Sequence, residues 1–595
     1  MKNRTKNVAI LLAVAAAAAG GLPDGLRAQD QMTGMGSDPE HTLPLTWDRW
    51  LDHEEIGERM ELMADTWPEF LSMSTIGDSY GGRELWLMTM NNPDTGPAEG
   101  KAAMWIEANI HGNEIQGAEV SLYTIWYMME NYDRNPEIRR MVDERVFYFL
   151  PSVNPDGRDY FLHGAGSGAR TGHVPVDSDG DGLFDEDPAN DLNGNGVIEQ
   201  IRKYVPGRGT HRLDPADDRF LIPVAPGETG DWIQLGSEGI DDDGDGRVNE
   251  DPVGGYDTNR NWGSDWQPEY IQGGAMNYPF EVPESRAIND FMVEHPHIAG
   301  LQSYHNTGGM ILRGPGAAWF GEYPTDDVRV YDELGEQGER MLPYYNYYVV
   351  WQGLYSTHGG SIDWQNDGLG IVSFVNELWN GGQYFNSPLL QEQQRDPDSP
   401  ISGQQSRYFF DDFLEFGDQF VDWAPFDHPT YGEVEMGGWK KLSGRVNPRF
   451  MSMELFHRNM AFTLWHADQL PLMSMGEAEV ERVQGDVWRV RVPITNERLI
   501  PTITVRAREN AVVRPDLITV DGGVDIITAG WVQNVHVPGP IDAIDQPELD
   551  RIMVRSGHPG RTTRVLEYLV RGSGSFTVEY DSVKGGTVRT TVQLR

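Results

Sequence analysis

Two side chains able to bind a metal ion stand three residues apart, where the sequence changes from a strand-like to a helical pattern. His111 and Glu114 follow an apolar run over 102–106 that is typical of a buried strand. Apolar residues then recur at helical spacing: Leu122, Ile125, Trp126 and Met129. An imidazole and a carboxylate placed across such a turn can converge on one point, as two ligands of a catalytic zinc ion do. The same spacing equally fits a turn histidine followed by a glutamate that favours a helix N-terminus.

Two further candidates also follow strand-like runs. His305 comes directly after the apolar run 298–304, and Glu377 follows the run 370–375. Taken singly, such a histidine is more often a core residue, and such a glutamate is usually paired with arginine. The carboxyl ends of strands in one sheet face one crevice, so we expect His305 and Glu377 to lie near His111 and Glu114. Two histidines and a glutamate are an established zinc ligand set, and a further carboxylate can act as a general base.

The elements around these residues predict an α/β domain over about 45–471. A helical pattern near its start is followed by a hairpin pattern over 73–90. Strand-like and helical runs then alternate, which predicts a mixed, mostly parallel sheet with helices on both faces. Two helices are expected to close the domain, at 408–423 and 450–470.

The pattern changes near residue 472. The runs 487–492 and 502–507 alternate between apolar and polar residues, as half-buried antiparallel strands do. Further strand-like runs follow, separated by turns that contain glycine: 552–554, 563–570 and 575–580. We therefore predict a C-terminal β-sandwich over 472–595. Because it shows no catalytic cluster, we expect it to serve packing or substrate docking.

An acidic insertion over 158–255 interrupts the first domain. It contains two near-copies of one loop, over 177–188 and 241–252, and a third, related loop over 191–198. Oxygen donors alternating around a glycine turn are what calcium coordination requires, although no loop has the glutamate that ends an EF-hand loop. A solvated acidic loop is the alternative. The candidate calcium ligands are Asp177, Asp179, Asp181 and Asp185 in the first loop, and Asp241, Asp243, Asp245 and Asn249 in the second.

The composition argues against polyanionic partners. The 595-residue chain has 92 acidic and 47 basic residues, which gives a net charge of −45. Such a surface repels nucleic acid and anionic lipid, so we expect neither as a partner. Cysteine is absent, which removes thiol ligands, thiol nucleophiles and disulfides from consideration. The sequence leaves the oligomeric state open.

The N-terminus has the pattern of an export signal. Lys2, Arg4 and Lys6 precede a short apolar core over 8–19, and a cleavage point follows Ala28. The apolar core is shorter than the ~20 residues that a membrane span needs, and no later run is long enough. We therefore expect a signal peptide at 1–28 and a secreted or periplasmic protein without a membrane span.

Taken together, the motifs resemble those of the zinc carboxypeptidase family (carboxypeptidase A-like metallopeptidases). The resemblance covers about 45–442, with 158–255 as a large insertion. It implies that His111, Glu114 and His305 hold one catalytic zinc ion. It also implies that Asp257 orients His111 from behind and that Glu377 is the general base.

The resemblance also implies substrate-binding residues. Asn259 and Arg260 match the pair that holds the terminal carboxylate of the substrate, and Tyr355 matches the tyrosine that closes over it. Ile362 matches a position in the pocket for the final side chain, where an apolar residue favours aliphatic or aromatic ends. Asn113 stands where the family often has arginine, so one anchoring charge is missing.

The arginine that polarises the scissile carbonyl falls within the insertion. We choose Arg202 for this role, ahead of Arg170 and Arg158. The implied function is that of a secreted zinc metallocarboxypeptidase, which acts on peptides or proteins with a free C-terminus through a zinc-activated water. Alternatives are a peptidoglycan stem-peptide carboxypeptidase and a catalytically inactive peptide-binding module. The related deacylases are disfavoured by the intact Asn259–Arg260 pair.

Overall fold

The computed structural model describes residues 41–165, 170–178, 180–215, 217–382, 407–408, 410–535 and 539–595. The signal peptide expected at 1–28 and the candidate ligand Asp179 lie outside the described residues. Among the described residues, no helix is both long and apolar enough to cross a membrane.

The secondary structure comprises the following helices and strands. The helices are α1 His53–Thr66, α2 Gln116–Asn131, α3 Pro136–Glu144, α4 Pro155–His163, α5 Pro283–Glu294, α6 Thr325–Met341, α7 Val350–Gly353, α8 Ser361–Leu369, α9 Ser452–Asp468 and α10 Val505–Asn510. The strands are β1 Leu71–Asp78, β2 Glu84–Met90, β3 Ala103–Ala108, β4 Val146–Leu150, β5 Gln200–Gly209, β6 His211–Leu213, β7 Leu221–Pro223, β8 Gly230–Ser237, β9 Ile298–Asn306, β10 Met310–Arg313, β11 Asn346–Val349, β12 Val372–Leu378, β13 Phe420–His428, β14 Gly432–Trp439, β15 Met473–Met475, β16 Glu479–Gln484, β17 Val487–Asn496, β18 Asp516–Asp521, β19 Asp525–Val532, β20 Ile541–Ala543, β21 Arg551–Val554, β22 Thr562–Arg571, β23 Gly574–Ser582 and β24 Gly586–Leu594.

Eight strands form the main sheet, in the order β1-β2-β4-β3-β9-β12-β10-β11. The four central strands β4, β3, β9 and β12 are parallel, and the β1–β2 hairpin adds an antiparallel edge. Successive side chains of a strand point to opposite faces. On β3, Met104 and Ile106 pack in one core with α1, α2, α6 and α9, while Ala103 and Trp105 pack in a second core with α5 and α8. The predicted mixed, mostly parallel sheet with helices on both faces is thereby confirmed.

The insertion builds a second sheet that the sequence did not indicate. Strands β5 to β8 combine with β13 and β14 in the order β13-β14-β5-β8-β6-β7, and its pairings are antiparallel. The helix predicted over 408–423 is right only in its first part: residues Asp411–Glu415 are helical, but Phe420 begins strand β13 and pairs with Trp439 of β14. The side chains of Phe420, Tyr408 and Trp439 pack together, and this long-range packing overrides the local helical pattern.

Two antiparallel sheets form the C-terminal region, and they share one apolar core. This confirms the predicted all-β architecture. The strand predicted over 502–507 is wrong, because Val505 begins helix α10 there. The hydroxyl of Thr504 caps that helix by accepting the Ala507 N–H at 3.1 Å, and Asp327 accepts the N–H groups of Val505 and Arg506. Both contacts satisfy amides that a first helical turn leaves unpaired.

Candidate active site

The turn after β3 places the first two candidate ligands. Asn109 adopts a left-handed conformation with φ 60°, which asparagine tolerates better than most residues. Its side-chain amide donates to the carbonyls of His111 and Gly112 at 2.8 and 3.0 Å. Helix α2 then begins close to the sheet at Gly117, where a Cβ atom would lie only 2.5 Å from that of Tyr304. This close approach brings His111 and Glu114 against the end of β9.

His111, Glu114 and His305 converge in a buried group. The two Glu114 oxygens lie 2.9 Å from Nδ1 of His111 and 2.8 Å from Nδ1 of His305, and the two Nδ1 atoms are 3.2 Å apart. Two imidazole nitrogens and a carboxylate facing one point have the donor chemistry of a zinc site. Burial raises the pKa of Glu114, but the two imidazoles outweigh burial and bring it well below its usual range.

Asp257 lies behind His111, on the side away from Glu114. Its Oδ1 is 3.2 Å from Nε2 of His111 and accepts the Asn259 N–H at 2.8 Å. Burial raises the pKa of Asp257, yet the charges of Arg260, His111 and Arg170 bring it well below the usual range. An ionised carboxylate there fixes the imidazole so that Nδ1 faces Glu114.

Glu377 lies beside the ligand group, on the neighbouring strand. In the parallel register of β9 and β12 it is the partner of His305, and both line the same cleft. Burial and the nearby Glu114 carboxylate raise the pKa of Glu377 to about 7. A carboxylate with a pKa near neutrality can both accept and return a proton.

The cleft also brings together the predicted substrate-binding residues. The Arg260 guanidinium donates to the Tyr355 hydroxyl at 3.2 Å, and Asn259 Oδ1 accepts the Ser361 N–H at 2.9 Å. Gly359 adopts φ 64°, and a Cβ atom there would lie 2.4 Å from the Arg260 carbonyl oxygen. Only glycine allows this loop to pass so close to Arg260.

An apolar pocket opens off this cleft. Its apolar wall is formed by Leu312, Val350, Ile362 and Val375. Asp363, which follows Ile362, also lines the pocket, although we had not singled it out from the sequence. Its carboxylate accepts the Gly316 N–H at 3.0 Å and the Tyr323 hydroxyl at 3.3 Å, and burial raises its pKa to about 7.

The choice of Arg202 is wrong. Its side chain belongs to the second sheet, where Nε donates to Glu435 at 2.7 Å and the guanidinium stacks on Trp423. Arg202 pairs in register with Glu435 on the adjacent strand β14, and this pairing turns it away from the cleft. Arg158 is also excluded, since its guanidinium is buried against Glu119 and the Leu51 carbonyl.

Arg170 occupies the cleft instead. Its two terminal nitrogens lie 3.1 Å from Glu114 and 3.3 Å from Asp257, and a third of its side chain is exposed. Its carbonyl accepts the Gly112 N–H at 2.9 Å, which ties the insertion to the turn carrying His111.

A further cation near the candidate metal ligands was not predicted from the sequence. Arg445 donates to Asn113 Oδ1 at 2.6 Å and lies 3.5 Å from Glu114. It therefore provides a positive charge beside the position where the sequence appeared to lack one. Arg445 is separated from Asn113 by 332 residues, so no local pattern could have revealed it.

The acidic loops lie outside this cleft. Carboxylate oxygens of Asp241, Asp243 and Asp245 lie within 4.8 Å of one another. Asp177 accepts the N–H groups of Gly180 and Gly182, and Asp181 approaches Asp243 of the second loop. Asp185 and Asn249 face other groups: Asp185 accepts the Gly254 N–H, and the Asn249 amide donates to the Glu238 carbonyl.

Comparison with known proteins gives two family matches. A family model described as zinc carboxypeptidase matches residues 56–192 and 231–397, together more than half of the chain. A model for a domain of unknown function matches 472–593.

Several curated proteins are similar over a short segment. A zinc carboxypeptidase of Saccharothrix mutabilis subsp. capreolus is 34% identical over 108 residues, or 18% of this chain and 24% of that protein. Carboxypeptidase M of Mus musculus is 29% identical over 109 residues, or 18% of this chain and 25% of that protein. The matched segments thus span a quarter or less of these relatives.

Solved structures give weaker likenesses. Bovine thrombin-activatable fibrinolysis inhibitor, in complex with tick carboxypeptidase inhibitor, has 19% identity and a TM-score of 0.36 over 57% of this chain and 89% of that chain. Carboxypeptidase A from Helicoverpa armigera has 18% identity and a TM-score of 0.39 over 60% of this chain and 71% of that chain. Both TM-scores are low, so the fold is described from this chain's own elements. The extent of the family-model match shows that the chain belongs to the zinc carboxypeptidase family.

Proposed function

We propose that this protein is an exported zinc metallocarboxypeptidase that removes the C-terminal residue of peptides or proteins. One observation carries the proposal. A single cleft is lined by the ligands His111 and His305, the carboxylate Glu377, and the Arg260–Tyr355 pair. These groups provide a metal site, a base and a carboxylate-binding site within one pocket.

His111, Glu114 and His305 would hold the catalytic zinc ion. Their Nδ1 and carboxylate donors already face one point, and Asp257 holds the His111 ring from behind. When bound, zinc supplies Lewis-acid activation of the attacking water and the scissile carbonyl.

Glu377 acts as the general base in this proposal. It takes a proton from the attacking water and passes it to the leaving amine, a role that its pKa of about 7 supports. Arg170 takes over the role that we had given to Arg202. Its partly exposed side chain beside Glu114 could stabilise negative charge on the carbonyl oxygen.

Arg260 would restrict the proposed cleavage to the C-terminal residue of the substrate. A guanidinium can hold a terminal carboxylate through two parallel hydrogen bonds, with Asn259 and Tyr355 close by. The apolar wall around Ile362 favours aliphatic or aromatic final side chains. The N-terminal pattern over 1–28 supports export to the periplasm or the medium.

We also assign the catalytic unit to 45–471 and the β-sandwich to 472–595. The insertion over 158–255 is proposed to bind structural calcium through its acidic loops, as their repeated oxygen donors suggest.

The test compares matched peptides that end in a free acid or an amide. Wild-type protein loaded with zinc should hydrolyse the free acid and leave the amide intact. Arg260→Met should lower kcat/KM for the free acid by about 10- to 100-fold, the usual loss for a hydrogen bond to a charged group, with zinc still bound. Equal turnover of acid and amide would refute exo-acting cleavage. Release of residues only from peptidoglycan stem peptides would favour the alternative substrate.

A further inference from the structure

The two near-identical acidic loops of the insertion, 177–188 and 241–252, face each other as a pair. Asp187 and Asp251 form an antiparallel bridge, with the Asp187 N–H donating to the Asp251 carbonyl at 3.3 Å. Their side chains cross over: Asp251 accepts the Ser178 N–H at 3.2 Å, and Asp187 accepts the Asn249 N–H at 3.1 Å. Each loop is therefore held by a carboxylate from the other.

Carboxylates from both loops gather where they meet. Oxygens of Asp187, Asp243 and Glu250 lie within 4.8 Å of one another, and so do oxygens of Asp181, Glu186 and Asp243. Asp243 belongs to both groups. Among the described residues, Arg247 of the second loop pairs with Asp245 at 3.7 Å, and no ion pair is formed by Asp187, Glu186 or Glu250.

Buried oxygen atoms at this junction have no hydrogen-bond partner among the described residues. Asp187 and Asp251 are both 0% exposed, and one carboxylate oxygen of each is unpaired. Both carboxylate oxygens of Glu186 and of Glu250 are likewise buried and unpaired. Burying unpaired carboxylates is costly, so their arrangement calls for a cation. Several carboxylate oxygens without nitrogen or sulfur donors suit calcium.

The paired loops are also connected directly to the cleft. Before the first loop, Gly172 bridges to Tyr256, which follows the second loop. Arg170 and Asp257 lie just outside this bridge, and they contact each other at 3.3 Å. The chain segment from 170 to 257, which contains both loops, thus begins and ends at two residues of the candidate active site.

We propose that the two loops bind calcium jointly, at a site between them that includes Asp187, Asp243 and Glu250, and that this ion positions Arg170 and Asp257. The effect on catalysis rests on the proposed function, whereas calcium binding does not. This site differs from a separate ion in each loop, because it needs residues from both.

Calcium binding is tested by calorimetric titration and thermal unfolding of zinc-loaded full-length protein in calcium-free, zinc-supplemented buffer. Wild-type protein should bind calcium and unfold at a higher temperature when calcium is present. Asp187→Asn and Glu250→Gln should each weaken binding at least about tenfold, since each removes a charged ligand. Glu228→Gln, an exposed glutamate in the same insertion, should bind as wild type does.

The order of the unfolding temperatures of wild type and Asp187→Asn, with and without calcium, distinguishes a calcium ligand from a residue with only a structural role. Without calcium, Asp187→Asn should unfold at a higher temperature than wild type, because one repelling charge is gone. With saturating calcium the order should reverse. The joint site is overturned if wild-type protein does not bind calcium, or if both variants bind it as Glu228→Gln does.

The effect on the cleft is measured as kcat with and without calcium, at constant zinc content. Calcium should raise kcat of wild type and of Glu228→Gln but not that of Glu250→Gln. Unchanged kcat in wild type that has bound calcium would overturn the positioning of Arg170 and Asp257. If no peptide is cleaved under any condition, the proposed function fails, while the titrations still decide calcium binding.

Discussion

The candidate metal ligands in the cleft and the paired acidic loops both bring carboxylates together, but the groups around those carboxylates are opposite in kind. In the cleft, Glu114 lies against two imidazoles and the Arg170 guanidinium. Between the loops, Asp187 and Glu250 face each other without a cation from the described chain. The carboxylates of the ligand group are balanced by the chain's own nitrogen donors, whereas buried carboxylate oxygens at the loop junction have no such partner in the described chain.

The pKa directions express this difference. Burial raises the pKa of the carboxyl in both places. Around the candidate metal ligands the neighbouring imidazoles and guanidinium groups reverse the shift, so the pKa values of Glu114 and Asp257 fall well below their usual range, whereas that of Glu377 stays raised. At the junction Glu250 adds to burial, and the pKa of Asp187 rises to about 7. The carboxyl groups at the junction therefore oppose one another's ionisation.

Glu377→Gln should give the largest effect and separates chemistry from metal binding. The amide cannot accept the proton, so kcat should fall by about 10²- to 10⁴-fold. Zinc content should stay at the wild-type level, because Glu377 is not among the three ligands. Steady-state kinetics with elemental analysis check both. Activity near that of wild type would show that Glu377 is not the general base. Loss of zinc from the variant would show that Glu377 is a zinc ligand.

Arg170→Met and Arg202→Met form the next pair. Arg170 contacts Glu114 and Asp257, whereas Arg202 contacts Glu435 in the second sheet. Losing a group that stabilises the developing charge costs about 10²- to 10³-fold in kcat. We expect that loss for Arg170→Met and less than about threefold for Arg202→Met. Thermal unfolding checks that both variants fold, and the reverse ranking would restore Arg202.

The cleft also shows where prediction from sequence succeeds and where it fails. His305 and Glu377 could be placed together because both follow strands of one sheet, and adjacent parallel strands end at one edge. Placing Arg202 ahead of Arg170 was wrong, because β5 is fixed by pairing with β14, over 200 residues later, which no local pattern reveals. Arg445 contacts Asn113 across a still longer interval of 332 residues. The shared loop junction depends on the Asp187–Asp251 bridge, which neither repeat reveals alone.

Asp257→Asn should weaken zinc binding without removing a ligand. The neutral amide still accepts the Asn259 N–H but no longer balances His111 and Arg170. Carboxylates that hydrogen-bond to a metal-binding histidine are worth about 10- to 100-fold in metal affinity. Competition with a zinc chelator measures the change. Unaltered zinc affinity would show that Asp257 is not needed to orient His111.

Glu284→Gln tests a carboxylate that shares features of both regions, because one of its oxygens accepts hydrogen bonds and the other has no partner in the described chain. Its Oε1 accepts the Tyr256 hydroxyl at 2.9 Å and the Tyr80 N–H at 3.0 Å, while Oε2 is buried without a partner in the described chain. Burial raises the pKa of Glu284 to about 7, above that of the unfolded chain. The folded state therefore binds the proton more tightly, and wild-type stability is lost as pH rises toward 7.

The Gln variant lacks this titration. Relative to wild type, its free energy of unfolding should increase on the order of 1 kcal/mol between pH 5 and about pH 7.5. Denaturant unfolding at several pH values measures this difference. A constant difference across the range would mean that Glu284 is ionised throughout, as Glu114 and Asp257 are.

Exopeptidase activity is tested directly by mass spectrometry of a peptide with a free C-terminus, incubated with the zinc-loaded protein. We expect loss of single residues from the C-terminal end, fastest where the last side chain is aliphatic or aromatic. We expect no loss with the His305→Ala variant, which lacks one proposed zinc ligand. Internal cleavage, or an intact peptide despite bound zinc, would show that the protein is not a zinc metallocarboxypeptidase of this kind.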